Sequence, residues 1–210
     1  MKPLPGESQE PSRSAAVRFP PEPDPSQRDN IDLLLGGLAC ALESRSASYI
    51  AGPVTTGPLF LKWYSVQGRA LVLGSDEFRA RRHEAVVIPN VARGTAAASE
   101  FRASCSGAVI EPFSFHLPQW TQDDYRFFWG RVIECFARRV VLLEGWSSSN
   151  GAVFECYTGL RLGLDVVAEG CILTSTTVPE LIRAELATLR DATVDTRFLE
   201  RLIAEVSSLS

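Results

Sequence analysis

The chain has 210 residues, of which 45% are hydrophobic, and this is enough for one domain with a buried core. The formal net charge of −4 at pH 7 argues against binding of nucleic-acid polymers, because the phosphate backbone requires clustered Lys and Arg. Five cysteines and two histidines show no metal-ligand or Cys-x-x-Cys spacing, so we expect no metal, no cofactor and reduced thiols in the cytoplasm. No apolar run reaches the roughly 18 residues of a membrane span, so no membrane association is expected.

Proline and mixed charge dominate the first part of the chain. Seven of the 13 prolines lie within residues 1–28, which predicts a disordered tail followed by a single domain over residues 29–210. Asp29 or Asn30 is expected to cap the first helix, whose apolar residues recur at the spacing of one buried face. A short strand is predicted over residues 47–51.

The middle of the chain predicts helices and one more strand. Residues 75–82 are compatible with a helix, while the apolar residues 85–88 fit either a strand or a helix. Asn90 is expected to cap a helix that ends near residue 103. Residues 108–113 are then predicted to form the second strand.

The second half of the chain alternates strands with helices. Thr121 and Asp124 have the spacing of a capping box, which predicts the start of a helix. A strand over residues 139–143, a helix over 151–162 and a strand over 164–167 follow, with two further helices towards the C-terminus. Such alternation predicts an α/β fold with a parallel sheet and helices on its faces.

Ligands of such sheets bind at the carboxyl ends of the strands, where two loops are predicted here, over residues 52–57 and 144–150. The second loop leads into a helix that has Ser149, Gly151 and Glu155 near its beginning. Free N–H groups and the positive end of the helix dipole favour a phosphate there, and a glutamate just behind can reach the sugar of a phosphorylated ligand. The same residues also fit a plain N-cap serine and an ordinary first-turn glutamate.

Three segments are informative when their order and spacing are taken together. They are Tyr49-Ile50-Ala51-Gly52-Pro53, the Asn90 helix leading to Val109-Ile110-Glu111-Pro112, and Val141 through Gly145-Trp146 to Ser149-x-Gly151-x-x-x-Glu155. In these segments the chain resembles the nucleoside 2-deoxyribosyltransferase superfamily, and most closely its branch that hydrolyses nucleoside 5′-monophosphates. The resemblance implies a flavodoxin-like or Rossmann-like fold, often a homodimer, that acts on a small-molecule nucleotide or nucleoside.

The resemblance also implies roles for individual residues. Glu155 would be the nucleophile, Tyr49 matches the tyrosine that hydrogen-bonds it, and Ser149 matches the serine that contacts the 5′-phosphate. The other residues expected around the substrate are Gly52, Pro53, Thr55, Trp146 and Gly151. Structural alternatives remain for several of them, because a strand tyrosine can simply pack under a helix, a glycine can serve a turn, and buried aromatic side chains are common.

Asp123 and Asp124 are the candidates for an acid-base partner of Glu155. The family's aspartate just before the third strand is replaced here by arginine, at Arg138 or Arg139. A second family aspartate, about two turns earlier on that helix, falls near Gly130 here, and the nearest acids are Asp123, Asp124 and Glu134. Asp124 has an alternative role in the capping box, which by itself accounts for an acid at that position.

The resemblance therefore implies an enzyme that cleaves the N-glycosidic bond of a nucleoside 5′-monophosphate and releases the free base and a (deoxy)ribose 5-phosphate. A carboxylate beneath C1′ stabilises the oxocarbenium-like transition state or forms a glycosyl ester. One alternative is a nucleoside 2-deoxyribosyltransferase that exchanges nucleobases with the same nucleophile. The other is a catalytically inactive nucleotide-binding sensor or interaction protein, which the missing family aspartates favour.

Overall fold

A computed structural model describes residues 22–209, and a five-stranded sheet with the strand order β2-β1-β3-β4-β5 lies at its centre. The strands are β1 (Ala47–Ala51), β2 (Val109–Ile110), β3 (Ala137–Leu142), β4 (Asp165–Ala168) and β5 (Cys171–Ile172). The first four strands run parallel, and β5 pairs with β4 in the antiparallel direction. This order corresponds to a flavodoxin-like or Rossmann-like α/β fold, so the predicted fold class is confirmed.

Eight α-helices of the described residues surround the sheet. They are α1 (Pro25–Ala41), α2 (Pro58–Val66), α3 (Asp76–Arg82), α4 (Ile88–Ser104), α5 (Gln122–Phe136), α6 (Asn150–Arg161), α7 (Thr177–Asp191) and α8 (Arg197–Ser207). Helix α4 packs against β1 and β2, whereas α5 and α6 pack against each other and against β3. Helices α7 and α8 pack on each other, and α8 also covers α6.

The central strand β1 sends alternate side chains to the two faces of the sheet. Tyr49 packs with Phe128 and Trp129 of α5, in the main hydrophobic core. Its neighbour Ile50 packs with Ala98 of α4 and with Phe113, in a separate cluster. The sheet therefore separates the surroundings of Tyr49 from those of Phe113.

The observed element boundaries correct several predictions. Helix α1 begins at Pro25, so Asp29 and Asn30 lie inside it and do not cap it, and residues 25–28 are helical where a disordered tail was expected. The rest of that predicted tail, residues 1–21, lies outside the described residues. Strand β3 begins two residues earlier than predicted, at Ala137.

Asn90 is also placed differently from the prediction. A π-helical turn, His83–Val87, runs directly into α4, so the ambiguous residues 85–88 are helical and Asn90 lies within the first turn of α4. Its side chain is buried, and Nδ2 donates hydrogen bonds of 3.0 Å to the carbonyls of Val54 and Thr56. Asn90 therefore fastens the loop after β1 to α4.

Candidate active site

Tyr49 and Glu155 form a buried hydrogen-bonded pair at the centre of the molecule. The Tyr49 hydroxyl donates to Oε1 of Glu155 over 2.6 Å. Tyr49 is fully buried and Glu155 is 6% exposed. The register of the sheet explains the contact, because Tyr49 pairs with Val140 of β3, and the chain returns from β3 through α6 over the same face. The structure thus brings together the two residues that the sequence singled out as nucleophile and partner.

Burial controls the ionisation of this pair. It raises the pKa of Glu155 to about 8, and the hydrogen bond from Tyr49 offsets only part of that increase. Burial also raises the pKa of Tyr49 well above its ordinary value, and the neighbouring charge of Glu155 adds to the effect. A carboxylate with so strongly raised a pKa, held by one specific partner, is a typical feature of a functional site.

The N-terminus of α6 lies one turn before Glu155. Ser149 is the N-cap residue, and its Oγ accepts a long hydrogen bond of 3.5 Å from the Ala152 N–H. Gly151 is exposed, and a Cβ added to it would meet no other atom within 4 Å. The first N–H groups of a helix lack acceptors within the helix, so this open end can bind an anion.

The position of Glu155 in α6 removes one of the alternatives. Helix α6 begins at Asn150 and has no acidic residue in its first turn, so Glu155 belongs to the second turn. The helix dipole acts mainly within the first turn and does not account for a glutamate that is buried further along. The first-turn interpretation of Glu155 is therefore wrong.

The loop after β1 contributes buried backbone to the same edge of the sheet. Gly52 and Pro53 are buried, while Thr55 is exposed. A Cβ on Gly52 would approach Leu143 Cβ to 3.2 Å, so the glycine allows the ends of β1 and β3 to lie close together. Gly52 and Pro53 therefore lie in packed surroundings at the carboxyl ends of the strands, whereas the Thr55 side chain is exposed.

Trp146 lies in a short 3₁₀ turn between β3 and α6, Trp146–Ser148, and is 6% exposed. It packs in the main hydrophobic core, as expected for an aromatic side chain with a structural role. Phe113 lies on the other face of the sheet, where a Cβ on Gly94 would come within 2.5 Å of its ring. Neither ring is freely available for stacking on a base in this conformation.

A cavity of about 200 Å³ lies between α4 and the ends of β1 and β3. Pro53, Leu143, Asn90, Gly94 and Phe113 contribute to its lining, but Tyr49 and Glu155 do not. The cavity therefore lies on the α4 face, separate from the buried carboxylate. We place the candidate site at Glu155, because that is where an unusual ionisable group coincides with an open helix N-terminus.

The two aspartates proposed as acid-base partners have structural roles at the start of α5. Oδ2 of Asp124 accepts hydrogen bonds from the N–H and the hydroxyl of Thr121, at 2.8 and 2.7 Å, and Thr121 Oγ1 accepts from the Asp124 N–H, at 3.2 Å. This is the predicted capping box. Asp123 forms an ion pair of 2.6 Å with Arg126. The structure thus uses both acids to begin a helix.

Glu111 is an acid at the end of β2 for which the sequence predicts no role. Glu111 follows β2 directly, and β2 is the neighbour of β1 in which Ile110 pairs with Tyr49. Its negative charge raises the pKa of Tyr49, after the larger effects of burial and of Glu155. Ile110 packs with Tyr49 in the main core, whereas the Glu111 side chain turns to the following loop, where its Oε2 accepts a hydrogen bond of 2.8 Å from the Phe113 N–H.

Residues 22–209 contain neither a metal-binding cluster nor a helix that could span a membrane. No group of three or more His, Cys, Asp or Glu side chains in this part of the chain is arranged to hold a metal ion. Likewise, none of the helices within these residues is both long enough and apolar enough to cross a membrane.

Replacing Glu155 with Gln tests the buried carboxylate through stability alone. In the unfolded chain the carboxyl ionises near its ordinary pKa, whereas the folded protein retains the proton up to about pH 8. The stability of the wild type therefore falls as pH rises between these values, by roughly 5 kcal/mol, and E155Q avoids this loss. We expect the Tm of E155Q to exceed that of the wild type increasingly from pH 5 to pH 9, by on the order of 10 °C in thermal unfolding.

The matched control for this measurement is Glu100→Gln, at an exposed position of α4. Its side chain remains in water in both states, so its Tm should follow that of the wild type across the pH range. A difference between E155Q and wild type that does not change with pH would contradict the burial of an ionisable carboxylate.

Comparison with known proteins does not identify the chain. No family model, no curated protein and no solved structure matches it. The function is therefore inferred from the arrangement of Tyr49, Glu155 and the N-terminus of α6.

Proposed function

We propose that this protein hydrolyses the N-glycosidic bond of a nucleoside 5′-monophosphate, with Glu155 as the nucleophile, as the resemblance to the nucleoside 2-deoxyribosyltransferase superfamily suggests. The observation that carries the proposal is the buried Tyr49–Glu155 hydrogen bond of 2.6 Å, one turn behind the open N-terminus of α6. The first element supplies a reactive carboxylate, and the second supplies a place for an anion.

The spacing of these two elements matches the substrate. A helix rises about 1.5 Å per residue, so Gly151 and Glu155 are separated by roughly 6 Å along the axis of α6. A ribose 5-phosphate has its phosphate on C5′ and the glycosidic bond on C1′, at opposite ends of one sugar ring. A phosphate on the N–H groups near Gly151 thus leaves C1′ within reach of Glu155.

The reaction follows from these positions. A carboxylate oxygen of Glu155 attacks C1′ while the C1′–N bond breaks, and the bonding electron pair leaves with the base nitrogen. Water then attacks C1′, so that a C1′–OH bond forms, the ester bond to Glu155 breaks and one proton of the water passes to the released base, which leaves the sugar phosphate and the Glu155 carboxylate. The Tyr49 hydroxyl donates to Glu155 and holds the carboxylate in one orientation, because both side chains are fixed by packing.

The energetic cost of Glu155 supports a functional role. A buried carboxyl whose pKa is raised to about 8 reduces stability at neutral pH, and no hydrogen bond in the core requires an acid rather than a glutamine there. Buried ionisable groups that reduce stability in this way are concentrated at functional sites. In the transition state the positive charge on the sugar favours the ionised form of Glu155.

The deciding experiment incubates the full chain with ribo- and deoxynucleoside 5′-monophosphates and the matching nucleosides, and measures free base by chromatography. We expect release from monophosphates and none from E155Q, because Gln cannot form the glycosyl ester at a useful rate. Base exchange only when a second base is added would indicate the transferase. Binding of a monophosphate without any product would indicate the binding protein and contradict the hydrolase.

The pH dependence of catalysis should reflect the raised pKa of Glu155. Because the nucleophile must be ionised, kcat/KM should rise with pH through a limb near pH 8. Tyr49→Phe removes the hydrogen bond that lowers this pKa, so its limb should move to higher pH and its activity at pH 7 should fall about tenfold or more.

Tyr125→Phe is the control for the Tyr49 variant, because the Tyr125 hydroxyl forms its hydrogen bonds with the backbone N–H and carbonyl of Leu117. In this variant kcat/KM should rise at the same pH as in the wild type. A limb at the same pH in Tyr49→Phe and in wild type would show that Tyr49 does not tune Glu155.

Ser149 and Thr121 offer a matched pair of N-cap residues for testing the phosphate site. Both side chains accept a hydrogen bond from the third residue of their helix, at α6 and α5 respectively. Alanine at either position should reduce stability by about 1 kcal/mol. Only Ser149→Ala should raise the KM for the monophosphate, by roughly tenfold, because only its helix end faces the substrate.

These measurements use initial rates with a monophosphate and urea unfolding of both variants. An equal KM in Ser149→Ala and Thr121→Ala would mean that Ser149 only caps its helix. The phosphate would then bind elsewhere.

A further inference from the structure

The cavity on the α4 face lies at a position where this kind of fold favours a ligand. The connection that follows β1 leads to α4 on one face of the sheet, whereas the loop after β3 leads to α6 on the other face. In open α/β sheets, ligands bind in the crevice between two such loops, at the carboxyl ends of the strands. Pro53 of the first loop and Leu143 of the second line the cavity of about 200 Å³ at this point.

One face of α4 forms a wall of this cavity. Asn90, Arg93, Gly94 and Ala97 line it, and their spacing of three and four residues places them on the same side of the helix. The ring of Phe113 packs directly on the helix backbone, because a Cβ on Gly94 would come within 2.5 Å of it. The Asn90 amide already donates to two carbonyls of the loop after β1. The interior therefore presents mainly apolar surface to a ligand.

An ion pair borders the cavity on its solvent side. Nη2 of Arg93 donates a hydrogen bond of 2.9 Å to Oε2 of Glu144, and the two side chains are 49% and 72% exposed. The other N–H groups of this guanidinium and the second oxygen of this carboxylate have no partner within residues 22–209. Two opposite charges with remaining capacity for hydrogen bonds thus lie beside an apolar cavity.

This combination of charges selects among small ligands. A lone carboxylate that approaches Arg93 is repelled by Glu144, and a lone ammonium that approaches Glu144 is repelled by Arg93. A molecule that carries both charges close together, as an α-amino acid does, compensates each repulsion with an attraction. Apolar cavities of about 150 Å³ hold a molecule the size of benzene, so this cavity has room for an aliphatic side chain such as that of leucine.

We propose that the α4-face cavity binds a free α-amino acid with a branched aliphatic side chain. The ligand carboxylate pairs with Arg93, its ammonium group pairs with Glu144, and its side chain packs against Phe113 and Leu143. The Tyr49–Glu155 pair lies on the other face of the sheet, so this binding site does not depend on the proposed hydrolase function.

Thermal unfolding of the full chain with free amino acids and their single-charge analogues tests the proposal. We expect about 10 mM L-leucine to raise the Tm by about 3 °C, because a ligand that binds only the folded state stabilises it. Isocaproate lacks the ammonium group of leucine, and isoamylamine lacks its carboxylate. At the same concentration and ionic strength, neither compound should shift the Tm, and free glycine, which has no side chain, should not shift it either.

Two alanines of α4 provide a matched pair of variants. Ala97→Leu places a larger side chain in the cavity and should abolish the response to leucine. Ala96→Leu makes the same change at the neighbouring, exposed position and should keep the response. Glu144→Gln removes the charge that repels a lone carboxylate, so isocaproate should now raise the Tm and the response to leucine should become smaller.

Three results would overturn the proposal: no response of the wild type to leucine, equal responses to leucine and isocaproate, or a response that persists in Ala97→Leu. If Ala97→Leu does not fold, the Glu144→Gln variant decides. An unchanged preference for leucine over isocaproate in that variant would show that Glu144 does not bind the ammonium group.

Discussion

The hydrogen bond between Tyr49 and Glu155 is the contact on which the functional interpretation depends. It joins the central strand to the helix that follows β3, across 106 positions of sequence. Tyr49 lies in the main hydrophobic core, and burial of the pair raises the pKa of Glu155 to about 8. A core made only for stability would place an apolar side chain here, because a buried ionisable group lowers the free energy of unfolding as pH increases.

The fold supplies the surroundings of this pair through register. Tyr49 pairs with Ile110 on one side and with Val140 on the other, so one residue of β1 fixes the relation of β2 and β3 to the site. Parallel strands then deliver their following residues to the same edge. The loop after β3, which contains Ser149, reaches the same edge as the end of β1 for this reason.

The sequence predicted those parts of the site that local patterns encode. Strand β1 and the cap at Ser149 are predictable because their signals lie within a few residues, and the resemblance to the transferase superfamily links Ser149 with Glu155. The position of Glu111 could not be predicted from local patterns, because it depends on the pairing of β2 with β1. Asn90 was wrongly predicted to be an N-cap because asparagine is common at that position. Its side chain instead donates hydrogen bonds to carbonyls of the loop after β1.

The helices α5 and α6 show how the same residue types serve different purposes. In α5, the side chains of Thr121 and Asp124 each accept a hydrogen bond from the other residue's backbone N–H. The negative charge of Asp124 therefore lies at the positive end of its own helix. In α6 the equivalent third position is Ala152, the cap at Ser149 is long, and the acid is moved into the second turn as Glu155. The start of α6 thus keeps its positive potential for an external anion, while its carboxylate is carried into the core beside Tyr49. This displacement of one acid along the helix separates an element built for stability from one suited to chemistry.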